Sequence, residues 1–397
     1  MNETSNSTQQ AREDYLLLLT LILSGATTSI PTMLSSLLLI DIGQTFNTPI
    51  GITGQIRTAN YIISIFAALL TSVLSVMYDH KRLLQLGLLC YTISAIGCTL
   101  APSLSFMMAT FSLTGVGYAF TITMAYTMTR LLSEERRGEA IGFIIAGSSA
   151  SYALGAFIVP YLQNIGGWRA SFSEYMLPIS VITLALATIL IPRRLKGDTS
   201  QVQTKIGEAF RTIFSNRSAV SSLLGYLFAM LAFQGILTYN TSFFRMSFLI
   251  SIGVASILML TDALSYTIGS AVASRVMKRI RRKTLITGSI LVAGVLMMVY
   301  SDIPIFLLSF GLVCTSCYLV GTMDASSTSL ILDQVPAFVG MMVSFQQIFY
   351  LVGSTIGAGV GGVVLTFSGF QLMFMVLGVF GVLSALVFQF LTKDPET

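Results

Sequence analysis

Residues 138–172, "GEAIGFIIAGSSASYALGAFIVPYLQNIGGWRASF", align with residues 339–374, "VGMMVSFQQIFYLVGSTIGAGVGGVVLTFSGFQLMF", at a shift of about 202. Gly138 falls on Gly340, Gly155 on Gly357, and "WRASF" on "FQLMF". The identities are few, but their order and spacing persist, which is the mark of an internal repeat. Each copy holds an apolar run of the length needed to cross a bilayer, about 20 residues for a core of about 30 Å. The repeated unit is therefore made of membrane helices, and a chain of 397 residues has room for each half to be a bundle.

Composition agrees. The chain is 54% hydrophobic and 10% charged, with mean hydropathy +0.80, whereas an ordinary soluble domain carries about 25% charged residues. Backbone groups in lipid are satisfied only within helices or closed barrels, and the runs here are helix-length. Spans are predicted at 15–40, 50–77, 84–101, 103–129, 140–162, 173–192, 219–241, 248–273, 285–301, 304–330, 338–363 and 369–391. The fold class is thus an all-α integral membrane protein of twelve spans in two six-helix pseudo-repeats. Residues 1–192 and 219–397 form the halves, and residues 193–218, the longest polar stretch, form a cytoplasmic linker in which "IGEAFRTIF" suits a short amphipathic helix. The first run lacks the basic lead and small-residue cleavage site of a signal peptide and is kept as a span.

Lys and Arg concentrate in cytoplasmic turns. Lys81 and Arg82, then Arg130, Arg136 and Arg137, then Arg193, Arg194, Lys196, Lys205, Arg211 and Arg217, then Arg275, Lys278, Arg279, Arg281, Arg282 and Lys283 all fall in alternate turns. Arg12 and Lys393 join them, which leaves Arg57, Arg169 and Arg245 elsewhere. Both termini are expected in the cytoplasm, and the sequons at Asn2 and Asn6 are then away from a glycosylating lumen. The net charge of +5 encodes topology and does not imply a nucleic-acid partner.

Cys90, Cys98, Cys314 and Cys317 sit in apolar runs as small hydrophobes, and the lone His80 lies in a charged turn. No metal, cofactor or enzyme chemistry is expected: clustered His, Cys or paired acids are missing, as is a phosphate-cradling Gly-Lys-Ser/Thr loop.

Asp262, in "ILMLTDALSYTIG", lies thirteen positions before Arg275, or about 20 Å along a helix at about 1.5 Å per residue. Asp324, in "VGTMDASS", lies nine positions before Asp333. A carboxylate at a span centre costs about 2.5–3.5 kcal/mol on insertion scales and marks a functional position. Either carboxylate could exchange a proton as its exposure changes, bind a cationic substrate, or hydrogen-bond a neighbouring helix. Arg57 and Asp41 suit an outer gate, although Arg57 also suits snorkelling to the headgroups or holding an anion.

The joint pattern resembles the major facilitator superfamily. Its signature between the second and third helices, roughly G-x-x-x-D-R-x-G-R-R, is met by "SVMYDHKRLLQLG", which keeps Asp79 and supplies Lys81 and Arg82; "GSAVASRVMKRIRRKTLITG" is the second, degraded copy. The exporters' fifth-helix pattern keeps Gly147, Gly155 and Pro160, but Ser151 and Tyr152 stand where Gly-Pro would. The eleventh span carries Gly353, Gly357, Gly361 and Gly362, a small-xxx-small stripe suited to close packing. Phe111 occupies the position at which proton-coupled exporters of the drug-exporter-like branch carry an Arg in the fourth helix.

The resemblance implies a monomeric transporter in the plasma membrane. It moves a small molecule by alternating access, by proton-coupled efflux or alternatively as a facilitator or importer; a non-transporting sensor is the remaining reading. It further implies a cavity lined by the first, fourth, seventh and tenth helices, hence by Gln234, Tyr239, Asn240, Tyr118, Tyr126 and Tyr318, and an inner gate at Asp79, Lys81 and Arg82.

Overall fold

In a bilayer each apolar run must close its own hydrogen bonds, and the chain does so as helix almost throughout the residues described in this computed structural model, which are 2–132, 134–191 and 203–394. Among them, ten helices are long and apolar enough to cross a membrane. Two of these, Gly138–Leu190 and Pro336–Phe390, are 53 and 55 residues long, enough for two crossings each. Each breaks at one glycine: Gly167 has φ 68° and ψ −171°, and Gly369 has φ 81° and ψ 179°. That region is essentially closed to residues with a Cβ. Gly167 and Gly369 are 202 positions apart, the shift at which the sequence repeats. Counted as pairs, the long helices bring the total to twelve spans.

The spans are, in order, the helices Asn2–Leu37, Gln55–Met77, His80–Thr99 and Leu104–Met128, then 134–166 and 168–190 on either side of Gly167. They continue with Arg217–Ser247, Ile252–Val276, Arg282–Val299 and Phe306–Asp333, then 339–368 and 370–390 on either side of Gly369. Within the 193–218 stretch, residues 193–202 lie outside the described residues and Gln203–Ser215 is a helix. The side chains of Asn2, Asn6, Arg12, Glu134, Arg136 and Arg137 lie outside them as well.

The chain forms two compact units, residues 1–42 with 62–199 and residues 43–61 with 200–397. In the first, the first and fifth spans meet through small residues: a methyl group at Gly25 would overlap the Ile144 carbonyl, and one at Gly147 the Ile22 carbonyl. Hydroxyls secure the contact. Ser148 Oγ donates to Gly25 O at 2.8 Å, Ser151 Oγ donates to Ala26 O at 3.0 Å, and Ser29 and Ser151 share a hydrogen at 2.6 Å. Lys81, 8% exposed, ties the third span to the sixth by donating to the Thr188 and Ile191 carbonyls.

In the second unit the seventh and eleventh spans meet through Gly353 on Leu227 and Gly357 on Leu231, again glycine against carbonyl. The eighth and tenth approach in the same way, Gly269 on the Tyr318 carbonyl and Gly321 on that of Tyr266. Thr322 Oγ1 closes the latter pair by donating to Gly269 O at 3.1 Å. Arg282, buried, bridges Asp333 at 2.5 Å and Asp394 at 2.9 Å, which joins the starts and ends of three spans on the side of the basic turns. On the opposite side an aromatic cluster of Phe243, Phe244, Tyr300, Phe306, Phe310, Phe370 and Phe374 packs ring on ring at 4.7–6.3 Å. Residues 43–61 belong here: Gln55 Nε2 donates to Gly359 O at 3.3 Å, and Gly51 lies against the Gly362 carbonyl.

Candidate functional site

The second unit holds Asp262 and Asp324, each on a span, with different surroundings. Asp262 is 3% exposed. Asn240 Nδ2 donates to its Oδ2 at 3.1 Å, and the Cys314 thiol points at Oδ1 at 3.8 Å. Tyr300 in turn donates to Asn240 Oδ1 at 3.1 Å. Asn240 is thus a relay: its amide is fixed by a tyrosine whose ring is locked in the aromatic cluster. A small cavity lined by Asn240, Tyr300, Ser316 and Cys317 adjoins this network. Four helix segments, from the seventh span to the tenth, converge on one carboxylate.

Asp324 is half-buried. Tyr266 donates its hydroxyl to Oδ2, and the Tyr226 hydroxyl is a second hydrogen-bonding neighbour of the carboxylate. Tyr226, 5% exposed, lies in the electrostatic field of the same carboxylate and beside Gln346 and Tyr350. Gln346 Nε2 donates to Thr328 Oγ1 at 2.6 Å. A rise of about 1.5 Å per residue puts Asp324, Tyr226, Tyr266 and Tyr350 about 14–17 Å from those ends of their helices that share the side of the basic turns. They form one level. No Lys or Arg contacts either carboxylate among the described residues. A buried carboxylate without a cation stays charged only at a solvation cost, so both positions are suited to taking up a proton or a positively charged ligand.

Residues 17–261 and 223–397 match the profile described as Major Facilitator Superfamily. The chain belongs to this superfamily. It is 26% identical over 184 residues to an uncharacterized MFS-type transporter, YvkA, of Bacillus subtilis, covering 46% of this chain and 41% of that one. It is also 26% identical over 168 residues to a probable 4-methylmuconolactone transporter of Cupriavidus pinatubonensis, covering 41% of this chain and 38% of that one. The chain spans less than half the length of these curated relatives. Among solved structures, a bacterial homologue of the human lysosomal transporter Spinster, inward-facing and unoccupied, superposes with TM-score 0.79 at 16% identity, covering 95% of this chain and 96% of that one. A D-xylose-proton symporter superposes with TM-score 0.76 at 15% identity over 96% and 98%. At such identities the likeness is one of fold.

The remaining residues singled out from this superfamily member's sequence are placed as follows. Gln234 is buried and accepts from Tyr61 at 3.4 Å, while Arg57, 3% exposed, donates to the same Tyr61 hydroxyl and lies 5.4 Å over its ring. Tyr239 is fully buried and donates to Ala358 O at 2.9 Å, with its ring against Gly54, Gly361 and Gly362. Tyr118 is half-buried beside Tyr91, Tyr126 is exposed, and Tyr318 lends its backbone to the contact with Gly269. Asp41 accepts from Gln163 at 3.0 Å. Asp79 caps the third span through the Lys81 N–H at 3.2 Å, and Arg82 is exposed. Gly155 packs on the Met33 thioether. The structure therefore brings Asn240 to Asp262, and it adds Tyr61, Tyr226, Tyr266, Tyr300 and Tyr350, which the sequence reading passed over. A depth count of the kind applied to Asp324 would have found three of them, because Tyr226, Tyr266 and Tyr350 share its level.

Proposed function

We propose that the protein is a secondary transporter that moves a small molecule across the plasma membrane by alternating access, with proton uptake and release at Asp262 or Asp324 driving efflux. The observation that carries this reading is the neutral setting of both carboxylates: their partners are an amide, a thiol and tyrosine hydroxyls. A purely structural acid inside a membrane helix would be cheaper as Asn or Ser, which make the same hydrogen bonds without the cost of charge. The chain acts as a monomer with both termini in the cytoplasm, as the basic turns favour. Gly147, Gly155 and Pro160 of the fifth span support a place in the drug-exporter-like branch, while Ser151 and Tyr152 in place of that branch's Gly-Pro weigh against export.

Phe111, 2% exposed where proton-coupled exporters carry an Arg, favours a second reading as a facilitator or importer. The deciding measurement is the pH inside proteoliposomes holding wild type, Asp262→Asn or Asp324→Asn, as cations, sugars and organic anions are offered. Proton movement that follows one solute in the wild type and stops in either variant establishes coupling. Solute entry with no proton movement, unchanged in both variants, establishes a facilitator and ends the coupled reading.

A further inference from the structure

The hydrogen bonds around Asp262 all run toward it. Tyr300 donates to Asn240 Oδ1, Asn240 Nδ2 donates to Asp262 Oδ2, and the Cys314 thiol donates to Oδ1. A carboxylate only accepts, whereas a tyrosine hydroxyl both donates and accepts. Ionised Asp262 therefore fixes the amide with its nitrogen toward the acid and its oxygen toward the ring. The titratable groups that face Asp262 are Tyr300 of the ninth span and Cys314 and Cys317 of the tenth. The seventh span contributes the amide, and no Lys or Arg contacts the carboxylate among the described residues.

Both ends of this chain of bonds are held, and only its middle can turn. The Tyr300 ring packs on Phe374, Phe243 and Phe244 with centroids 4.7, 5.5 and 6.2 Å away, and Ser309 Oγ donates to its backbone carbonyl at 2.9 Å. Asp262 is 3% exposed in the body of the eighth span. The terminal torsion of an Asn side chain is broad and two-fold, and its oxygen and nitrogen are nearly equal in size. A half-turn of the Asn240 amide thus exchanges donor for acceptor without repacking its surroundings.

A proton on Asp262 makes such a half-turn the favourable arrangement. The acid then has a hydrogen to donate, and the thiol beside it is a weak acceptor. The amide oxygen is a strong one. Turned over, Asn240 accepts from Asp262 Oδ2 and donates to the Tyr300 hydroxyl, while Cys314 still donates to Oδ1, now the carbonyl oxygen of the acid. The Tyr300 hydrogen turns into the adjoining cavity, which Ser316 and Cys317 also line. Ser316 Oγ donates to Leu312 O at 2.9 Å and keeps lone pairs with which to accept. Each polar group has a partner in both states, so the turn strands no buried donor.

We infer that Asn240 and Tyr300 are positioning residues for the protonation of Asp262, and that the Asn240 amide turns over as the proton arrives. The inference rests on the proton-coupled reading and names the device that sets its site. The test is an infrared titration of the detergent-solubilised full-length chain. It follows the acid carbonyl band that Asp262→Asn removes, with ring-labelled tyrosine reporting the Tyr300 hydroxyl. Asn240→Ala and Tyr300→Phe are each expected to move the midpoint of that band upward by about one pH unit, tenfold in proton affinity, because each weakens donation to the charged form. Tyr300→Phe added to Asn240→Ala is expected to change the affinity less than twofold, because the tyrosine acts only through the amide. In the wild type a tyrosine band should shift together with the acid band, and the shift should vanish in Tyr300→Phe. An Asp262 band missing at every pH, unmoved midpoints in both single variants, a full Tyr300→Phe effect in the Asn240→Ala background, or a tyrosine band that ignores the acid band overturns the inference. Should Asn240→Ala fail to elute as a single species, Tyr300→Phe decides through its midpoint and the tyrosine band, since it keeps the packed ring. Shifted midpoints without solute-driven proton movement in vesicles leave these roles standing and end the coupled reading. Solute-driven proton movement with unmoved midpoints does the reverse.

Discussion

The two units share a backbone plan and differ in what they bury. In the first, the polar groups inside the first and fifth spans are hydroxyls, Ser29, Ser148 and Ser151, each answered by a carbonyl or another hydroxyl. In the second, the eighth and tenth spans carry carboxylates answered by neutral groups. Hydroxyl-to-carbonyl bonds hold helices together without charge and respond little to pH or ligands. Carboxylates in the same solvent are unstable as ions, and so respond to anything that neutralises them. The repeat thus preserved geometry, down to Gly167 and Gly369 at the same joint, while the two units differ in the polar groups that their spans bury.

The strongest challenge to that contrast is at the cations that staple each unit. Arg282→Met removes the buried cation that Asp394 and Asp333 share and is expected to cost about 3–5 kcal/mol, nearer the low end because Asp333 is 48% exposed. Lys81→Met frees only two carbonyls and is expected to cost about 1–3 kcal/mol. Thermal unfolding in detergent measures both, and a larger loss at Lys81 would mean that the first unit is no neutral scaffold. Next come the glycines, where the units should agree: Gly147→Ala and Gly321→Ala each force a methyl into a carbonyl and should each cost about 1–3 kcal/mol by the same measurement. A marked inequality would show that the shared backbone plan is not equally tight. The smallest effect is expected at Ser151→Ala, about 1 kcal/mol of stability, with substrate-driven proton movement in vesicles unchanged. A change in that movement would give the first unit a part in coupling.

Much of the fold was legible because lipid leaves few options. Apolar length fixed the spans, and the 202-residue shift marked the joint at which Gly167 and Gly369 turn the chain. Single residues were legible where they broke the rule of their surroundings, as Asp262 and Asp324 do. Partners were not, because Tyr226, Tyr266 and Tyr350 are ordinary residues in a membrane helix and gain meaning only when four separate helices meet at one level. Lys81 illustrates the same gap. Its charge beside Asp79 reads as half of a gate, whereas its ammonium reaches two carbonyls at the end of the sixth span, a contact that carbonyls do not advertise in a sequence.

The turns at Gly167 and Gly369 bear on how the molecule can be handled. Helix runs up to each glycine and resumes after it, so one residue does what a loop usually does. Antibody fragments, proteases and inserted tags all need a stretch of chain to grip or to lengthen, and neither joint provides one. Labels and fiducial insertions belong instead near Asn47, where the backbone leaves the helix for several residues before Ile50.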